Sequence, residues 1–120
     1  MALGVLLTGC QIIPEATTAT NARQLRAAQL ASPVWRGHKF AQDRCSECHG
    51  VEAGQISANS RAPGFAVIAN RPGLTKATLD RWLRTQQLHP EPMYFQIPAG
   101  HIEDLVSYMI SLRADSTSEK

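Results

Sequence analysis

Apolar residues recur at helical spacing in three segments of the chain, and no segment alternates between apolar and polar residues long enough to predict a strand. The pattern is clearest near the C-terminus, where five residues fall on one helix face at the i, i+3, i+4, i+7 spacing: Ile102, Leu105, Val106, Met109 and Ile110. Glu103 and Asp104 are expected in the first turn of this helix, near the positive end of its dipole. The pattern predicts an all-α fold of three to four helices with long loops.

Local signals predict where the other two helices begin and end. Ser32 offers a capping hydroxyl, the proline after it suits a first turn, and helical spacing continues to about Arg44. Thr75 is the expected cap of the next helix, which should end before the His-Pro pair at residues 89–90. Gly- and Pro-rich segments between the helices predict loops at residues 50–59, 62–64, 71–73 and 89–98.

These elements place one packed domain at residues 33–113, followed by a polar tail at residues 114–120. The segment before the domain, residues 10–32, is rich in Ala, Thr and Gln and poor in large apolar residues, so we expect a flexible tether. Helix is expected there only in part, over residues 23–30. A further helix docked on the domain is the alternative.

The first nine residues are apolar and resemble the end of a secretory signal peptide. They are far shorter than the ~20 residues that a membrane-spanning helix needs. Residues 7–10, Leu-Thr-Gly-Cys, resemble the bacterial lipobox, in which small residues precede a cysteine that becomes lipidated. We therefore expect a lipid anchor at Cys10 that holds the protein on the periplasmic side of a bacterial membrane. A soluble periplasmic protein is the alternative.

Composition and charge exclude several classes of protein. The 120 residues carry a formal net charge of +2 with scattered Lys and Arg, so no basic stripe is available to bind nucleic acid. Three cysteines are too few for a disulfide-stapled scaffold. A domain of about 70–80 residues seldom gains enough stability from an ordinary core, and it usually needs a further stabilising element.

Residues 45–49 have the sequence Cys-Ser-Glu-Cys-His, which is the pattern of a c-type haem attachment site. Two thiols three positions apart on a helical turn face the same side, so Cys45 and Cys48 can each add to one porphyrin vinyl group while His49 reaches the iron. A covalent haem would also fill the centre of the small domain. Three alternatives exist for these residues. A thioredoxin-like pair would need a βαβ context, which the sequence does not predict, and a zinc site would need a second ligand pair. A plain disulfide would leave His49 without a role.

Residues 33–112 resemble a bacterial class I cytochrome c. The match includes Gly37 and Phe40 ahead of the haem motif, the Ala-Pro-Gly-Phe sequence at residues 62–65, a methionine loop at residues 89–93 and the last helix. The resemblance implies a small cytochrome c fold wrapped around one covalent haem c. It further implies that the protein carries single electrons between redox partner proteins and is not an enzyme.

The resemblance also implies the second axial ligand of the iron. Met93 lies in a proline-flanked loop late in the domain, where the family has its distal methionine. His89 is the alternative ligand, and an open position is a third possibility. Two filled axial positions keep small molecules from the iron and favour electron transfer, whereas an open position would favour a haem enzyme or gas sensor. A fixed electron-transfer subunit of a periplasmic oxidoreductase complex is a further alternative.

Other residues are given roles by the same resemblance. Pro63 lies where the family's proline offers its carbonyl to the proximal imidazole, with a simple loop turn as the alternative. Gly37 and Tyr108 lie where the family's first and last helices cross. Trp82 is a candidate for contact with the haem or a propionate, with core packing as the alternative.

Scattered charges and histidines complete the expectations. Four basic residues are candidates to surround the haem edge and steer an acidic partner, or else are ordinary solvated charges: Arg36, Lys39, Arg44 and Arg61. His38 and His101 are expected to face solvent or to make local hydrogen bonds.

Overall fold

The computed structural model describes residues 15–85, 91–93 and 96–114, and over these residues the fold is all-helical. The elements in chain order are α1 Glu15–Leu30, α2 Pro33–Arg44, α3 Phe65–Ala69, α4 Lys76–Arg84, a 3₁₀ turn Glu91–Met93 and α5 Ala99–Ser111. No described residue lies in a strand. The all-α fold expected from the sequence is confirmed.

Helix α2 begins and ends where the sequence predicts. The Ser32 hydroxyl accepts a hydrogen bond from the Trp35 N–H at 3.2 Å, and proline occupies the first turn. At the other end, the Cys45 N–H donates to the Ala41 carbonyl, so the cysteine motif follows the last turn of the helix directly.

Helices α2 and α5 cross at very close range. A β-carbon at Gly37 would lie 2.0 Å from the carbonyl oxygen of Asp104 and 2.8 Å from the β-carbon of Tyr108. Only glycine fits this contact, which agrees with the crossing point that the resemblance implies.

The position expected for Asp104 is wrong. Helix α5 begins at Ala99, so Glu103 and Asp104 lie beyond its first turn. The Asp104 side chain is buried and accepts two hydrogen bonds from the guanidinium of Arg36 on α2. This carboxylate therefore joins α5 to α2 and does not lie at the N-terminal end of its helix.

The apolar stripe of α5 forms the centre of the core, as its spacing predicts. Its most buried members are Ile102, Leu105, Val106 and Met109. The other helices and loops add buried residues to the same cluster: Ala41, Val51, Phe65, Leu79, Leu83, Ile97 and Tyr108. The burial of Met109 in this cluster fits its expected role as a core residue.

Helix α4 begins at its expected cap. Thr75 and Thr78 form a reciprocal capping box, in which each hydroxyl accepts the backbone N–H of the other residue. The helix buries Leu79 and Leu83 and ends at Arg84, before the expected His-Pro pair. The short helix α3 was not predicted, because five residues are too few to show helical periodicity.

Helix α1 is the largest difference from the expected structure. It covers most of the segment expected to be a flexible tether, and its described side chains from residue 18 to residue 30 are exposed. Residues 15–30 thus form a continuous helix, and none of its described side chains is buried in the domain. Local preference for helix in an Ala-, Gln-, Arg- and Leu-rich sequence gives the physical reason.

Several expectations fall on residues outside the described part of the chain. These are the signal-peptide end at residues 1–9, the lipidation site Cys10, the alternative ligand His89 and the tail after Ala114. Within the described residues, no helix combines the length and the apolar character that crossing a membrane requires.

Candidate haem attachment site

The cysteine motif forms a single tight turn at the end of α2. The backbone N–H groups of Cys48 and His49 both donate to the carbonyl oxygen of Cys45, at 3.2 and 2.9 Å. Cys45 and Cys48 do not form a disulfide with each other, and Cys45 is half-buried whereas Cys48 is exposed. Burial, with a smaller contribution from the neighbouring Cys48, raises the pKa of the Cys45 thiol to about 11.

His49 follows the two thiols and lies in a defined environment. The residue is 9% exposed, and its ring packs against Phe65 with 5.5 Å between the ring centroids. Its Nδ1 lies 2.7 Å from the carbonyl oxygen of Pro63. Because a carbonyl can only accept a hydrogen bond, Nδ1 carries a proton and donates the hydrogen bond to the Pro63 oxygen.

This hydrogen bond determines what the other ring nitrogen can do. In the neutral ring, a proton on Nδ1 leaves the lone pair on Nε2, and no described residue hydrogen-bonds to the Nε2 atom of His49. A neutral imidazole of this form is the ligand that haem iron takes on its proximal side. The two neighbouring thiols of Cys45 and Cys48 match the two bonds of a haem c, so this donor set fits the group.

The loop after His49 fixes the turn from its other side. The Asn59 N–H donates to the Cys48 carbonyl at 3.1 Å, and the Phe65 N–H donates to the Gly50 carbonyl at 2.8 Å. Two side chains of the same loop, Gln55 and Ser57, accept hydrogen bonds from the backbone just after His49. These two residues could not be predicted from the sequence, because polar side chains in a Gly-rich loop belong to no motif.

The remaining site candidates lie on separate elements. Met93 is half-buried at the end of the 3₁₀ turn Glu91–Met93. Trp82 is half-buried on α4 and packs against the core cluster. An open depression of about 720 Å³ lies between α4 and α5. Neither Met93 nor Trp82 lines it, and none of residues 45–49 does. The haem-related roles of Met93, Trp82 and Pro63 stay predictions.

His38 and His101 each have a specific partner. Nε2 of His38 lies within hydrogen-bond distance of the Glu52 carboxylate, and the His38 ring packs against Tyr108 with centroids 4.9 Å apart. The exposed His101 ring stacks on Phe40 with centroids 4.7 Å apart and planes inclined by 17°. These contacts could not be predicted from the sequence, since the partners are distant in the chain.

A network around Glu52 joins α2, the loop and α5. The Tyr108 hydroxyl donates to the Val51 carbonyl at 2.7 Å and lies 3.3 Å from the Glu52 carboxylate. The hydrogen bond from His38 is the main cause that lowers the pKa of Glu52, and Gln42 and Tyr108 contribute in the same direction. Burial and the neighbouring Glu52 raise the pKa of Tyr108 to about 12.

Two of the four expected steering residues are paired within the chain. Arg36 binds Asp104, and Lys39 lies 2.6 Å from the carboxylate of Asp43. Arg44 and Arg61 are exposed and form no ion pair with any described residue. A cluster of three or more His, Cys, Asp or Glu side chains able to hold a metal ion, as a zinc site requires, is not found in the described ranges.

Comparison with known proteins identifies the family. No protein-family model matches the chain, and no solved structure matches it. The chain is 30% identical over 106 residues to cytochrome c-552 of Bradyrhizobium diazoefficiens, an alignment that covers 87% of this chain and 91% of that protein. The chain therefore belongs to the c-type cytochromes, whose cofactor is covalently bound haem c.

Proposed function

We propose that the protein is a single-electron carrier with one haem c, attached through Cys45 and Cys48 and ligated by His49 and Met93. The observation that carries the proposal is the 2.7 Å hydrogen bond from Nδ1 of His49 to the Pro63 carbonyl. It favours the tautomer and the ring orientation in which Nε2 can bind iron. Relationship to cytochrome c-552 over most of both chains supports the haem and the electron-transfer role.

The residues of the site each contribute to this function. When bound, haem c supplies a one-electron Fe(III)/Fe(II) couple. The Pro63 carbonyl orients the His49 ring and makes Nε2 a stronger donor, while Phe65 packs against the ring and keeps water from it. A thioether from Met93 favours the reduced state relative to a second histidine and keeps small molecules from the metal.

Optical spectra of purified Met93→Ala test the second axial ligand. The variant should lose the methionine–iron charge-transfer absorption of the oxidised protein and should bind carbon monoxide rapidly when reduced. His89→Ala and Met109→Leu serve as controls, since His89 is the alternative ligand and Met109 is a core methionine. Both controls should keep the absorption. Loss of low-spin ligation in His89→Ala instead would overturn the assignment of Met93.

The proposal includes a location outside the cytoplasm and a lipid anchor at Cys10. Membership of the c-type cytochromes supports export, and the Leu-Thr-Gly-Cys sequence at residues 7–10 supports lipidation. Cell fractionation tests the anchor: the wild-type protein should remain with the membranes, whereas Cys10→Ser should not. Recovery of both forms in the soluble fraction would contradict the anchor and leave the electron-carrier role intact.

Redox proteins are the proposed partners, and an acidic partner fits the exposed charges of Arg44 and Arg61. Oxidation of the reduced protein by ferricyanide, a small anion, gives a direct test at low ionic strength. The Arg44→Glu/Arg61→Glu variant should react more slowly than the wild type, and added salt should reduce the difference. Equal rates at low salt would show that these are ordinary solvated charges.

A further inference from the structure

Three successive backbone N–H groups follow His49, and each is bound by a side chain of the next loop. The Ser57 hydroxyl accepts the Gly50 N–H at 2.9 Å. The Gln55 side-chain oxygen accepts the N–H groups of Val51 at 2.8 Å and Glu52 at 2.9 Å. Two polar side chains therefore supply the hydrogen bonds that a helix or sheet would otherwise give to this segment.

The opposite side of the same segment is held as well. The Gly50 carbonyl accepts the Phe65 N–H at 2.8 Å, and the Val51 carbonyl accepts the Tyr108 hydroxyl at 2.7 Å. The loop also packs directly on the segment, since a β-carbon at Gly50 would lie 2.3 Å from the carbonyl oxygen of Gln55. Little freedom is left to the backbone that carries the His49 ring.

The backbone of this segment is more buried than the two side chains that bind it. Gly50 and Val51 are both buried, with Val51 only 2% exposed, whereas Ser57 is half-buried and Gln55 is exposed. Loss of either acceptor leaves the N–H of a buried residue to find a new partner. Ile56 lies between these two hydrogen-bonding residues and is 91% exposed. Its neighbours thus hold the segment while Ile56 itself faces solvent.

We propose that Gln55 and Ser57 are positioning residues that hold His49 in place as an iron ligand. The inference rests on the proposed function, in which His49 is the proximal ligand. The loop that supplies both side chains continues to Pro63, whose carbonyl accepts the His49 ring proton. Release of the backbone at Gly50 or Val51 lets the ring move relative to Pro63 and weakens that hydrogen bond.

The test compares single variants in the haem-loaded protein. Gln55→Leu and Ser57→Ala remove an acceptor, Ser57→Thr keeps the hydroxyl, and Ile56→Ala changes the loop at its exposed position. The NMR readout is the exchange rate of the His49 Nδ1 proton with solvent in the reduced state. We expect exchange about tenfold or more faster in the first two variants and unchanged in the other two. The reduction potential should rise in the same two variants, because a weaker hydrogen bond makes the imidazole a poorer donor.

The outcomes separate this inference from the function on which it rests. Equal exchange rates and potentials in all four variants, with haem attached to each, overturn the positioning role and leave the electron carrier intact. A wild-type protein without haem overturns both. If Gln55→Leu fails to fold, the comparison of Ser57→Ala with Ser57→Thr decides, because these two differ mainly in the acceptor.

Discussion

The Arg36 guanidinium donates to both carboxylate oxygens of Asp104, at 2.8 and 2.7 Å, and so joins α2 to α5. The next residue, Gly37, is where the backbones of the two helices make contact. Because α2 leads directly into residues 45–49, this helix pair determines where the candidate haem ligands lie.

Gly37→Ala is expected to destabilise the protein, because the added β-carbon would lie 2.0 Å from the backbone oxygen of Asp104. Overpacking of a tight contact costs about 1–3 kcal/mol, and backbone atoms cannot yield as a flexible side chain does. The midpoint of thermal unfolding should fall by about 4–8 °C for each kcal/mol. Circular dichroism of the haem-loaded protein measures this shift.

Gly100→Ala is the matched control on α5. No atom lies within 4 Å of the β-carbon position at Gly100, so alanine enters open space. The unfolding midpoint of this variant should be unchanged or slightly higher. Equal destabilisation by the two substitutions would contradict the close contact at Gly37.

Arg36→Leu is expected to lower the unfolding midpoint, because it leaves the carboxylate of Asp104 buried without its charged partner. Arg84→Leu is the comparison, since Arg84 pairs with Asp80 on the exposed surface of α4. The double variant Arg36→Leu/Asp104→Leu should recover much of the loss. Additive losses in the double variant would show that the two residues act independently.

Stability should fall in acid partly because of Glu52. The hydrogen bond from His38 lowers the pKa of this carboxyl in the folded state, so the folded protein holds the ionised form more strongly than the unfolded chain does. The resulting stabilisation is present above the unfolded pKa of about 4.3 and is lost as the pH falls through the lower folded value. Glu52→Gln should therefore show a smaller loss of stability in acid.

Urea unfolding midpoints between about pH 6 and pH 3 measure this difference. The pKa of Asp80 is lowered in the same direction by Arg84, so the wild type carries more than one acid-sensitive pair. Subtraction of the Glu52→Gln curve from the wild-type curve isolates the contribution of Glu52. Parallel curves for the two proteins would contradict the role of the His38 hydrogen bond.

Local signals were enough to predict much of the fold. Ser32 and the proline after it placed the start of α2, and Thr75 placed the start of α4. The spacing of Cys45, Cys48 and His49 predicted their turn, because that pattern depends on residues next to each other in the chain. A crossing point at Gly37 followed from family resemblance.

Contacts between distant residues could not be predicted in the same way. The sequence predicted Asp104 in the first turn of its helix, whereas the structure shows that it pairs with Arg36, 68 positions away. Gln55 and Ser57 have no distinctive sequence pattern, and only the folded loop directs them to the backbone after His49. The low apolar content of the segment that contains α1 predicted a flexible tether, but its residues favour helix strongly enough to form one over Glu15–Leu30.

The intact mass of the mature protein, measured together with its pyridine haemochrome spectrum, tests the central claim most directly. We predict the mass of the polypeptide and any lipid plus one haem, with colour that survives acid–acetone extraction and disappears in the Cys45→Ala/Cys48→Ala variant. A mass equal to the polypeptide and lipid alone would contradict covalent attachment and the electron-carrier function with it.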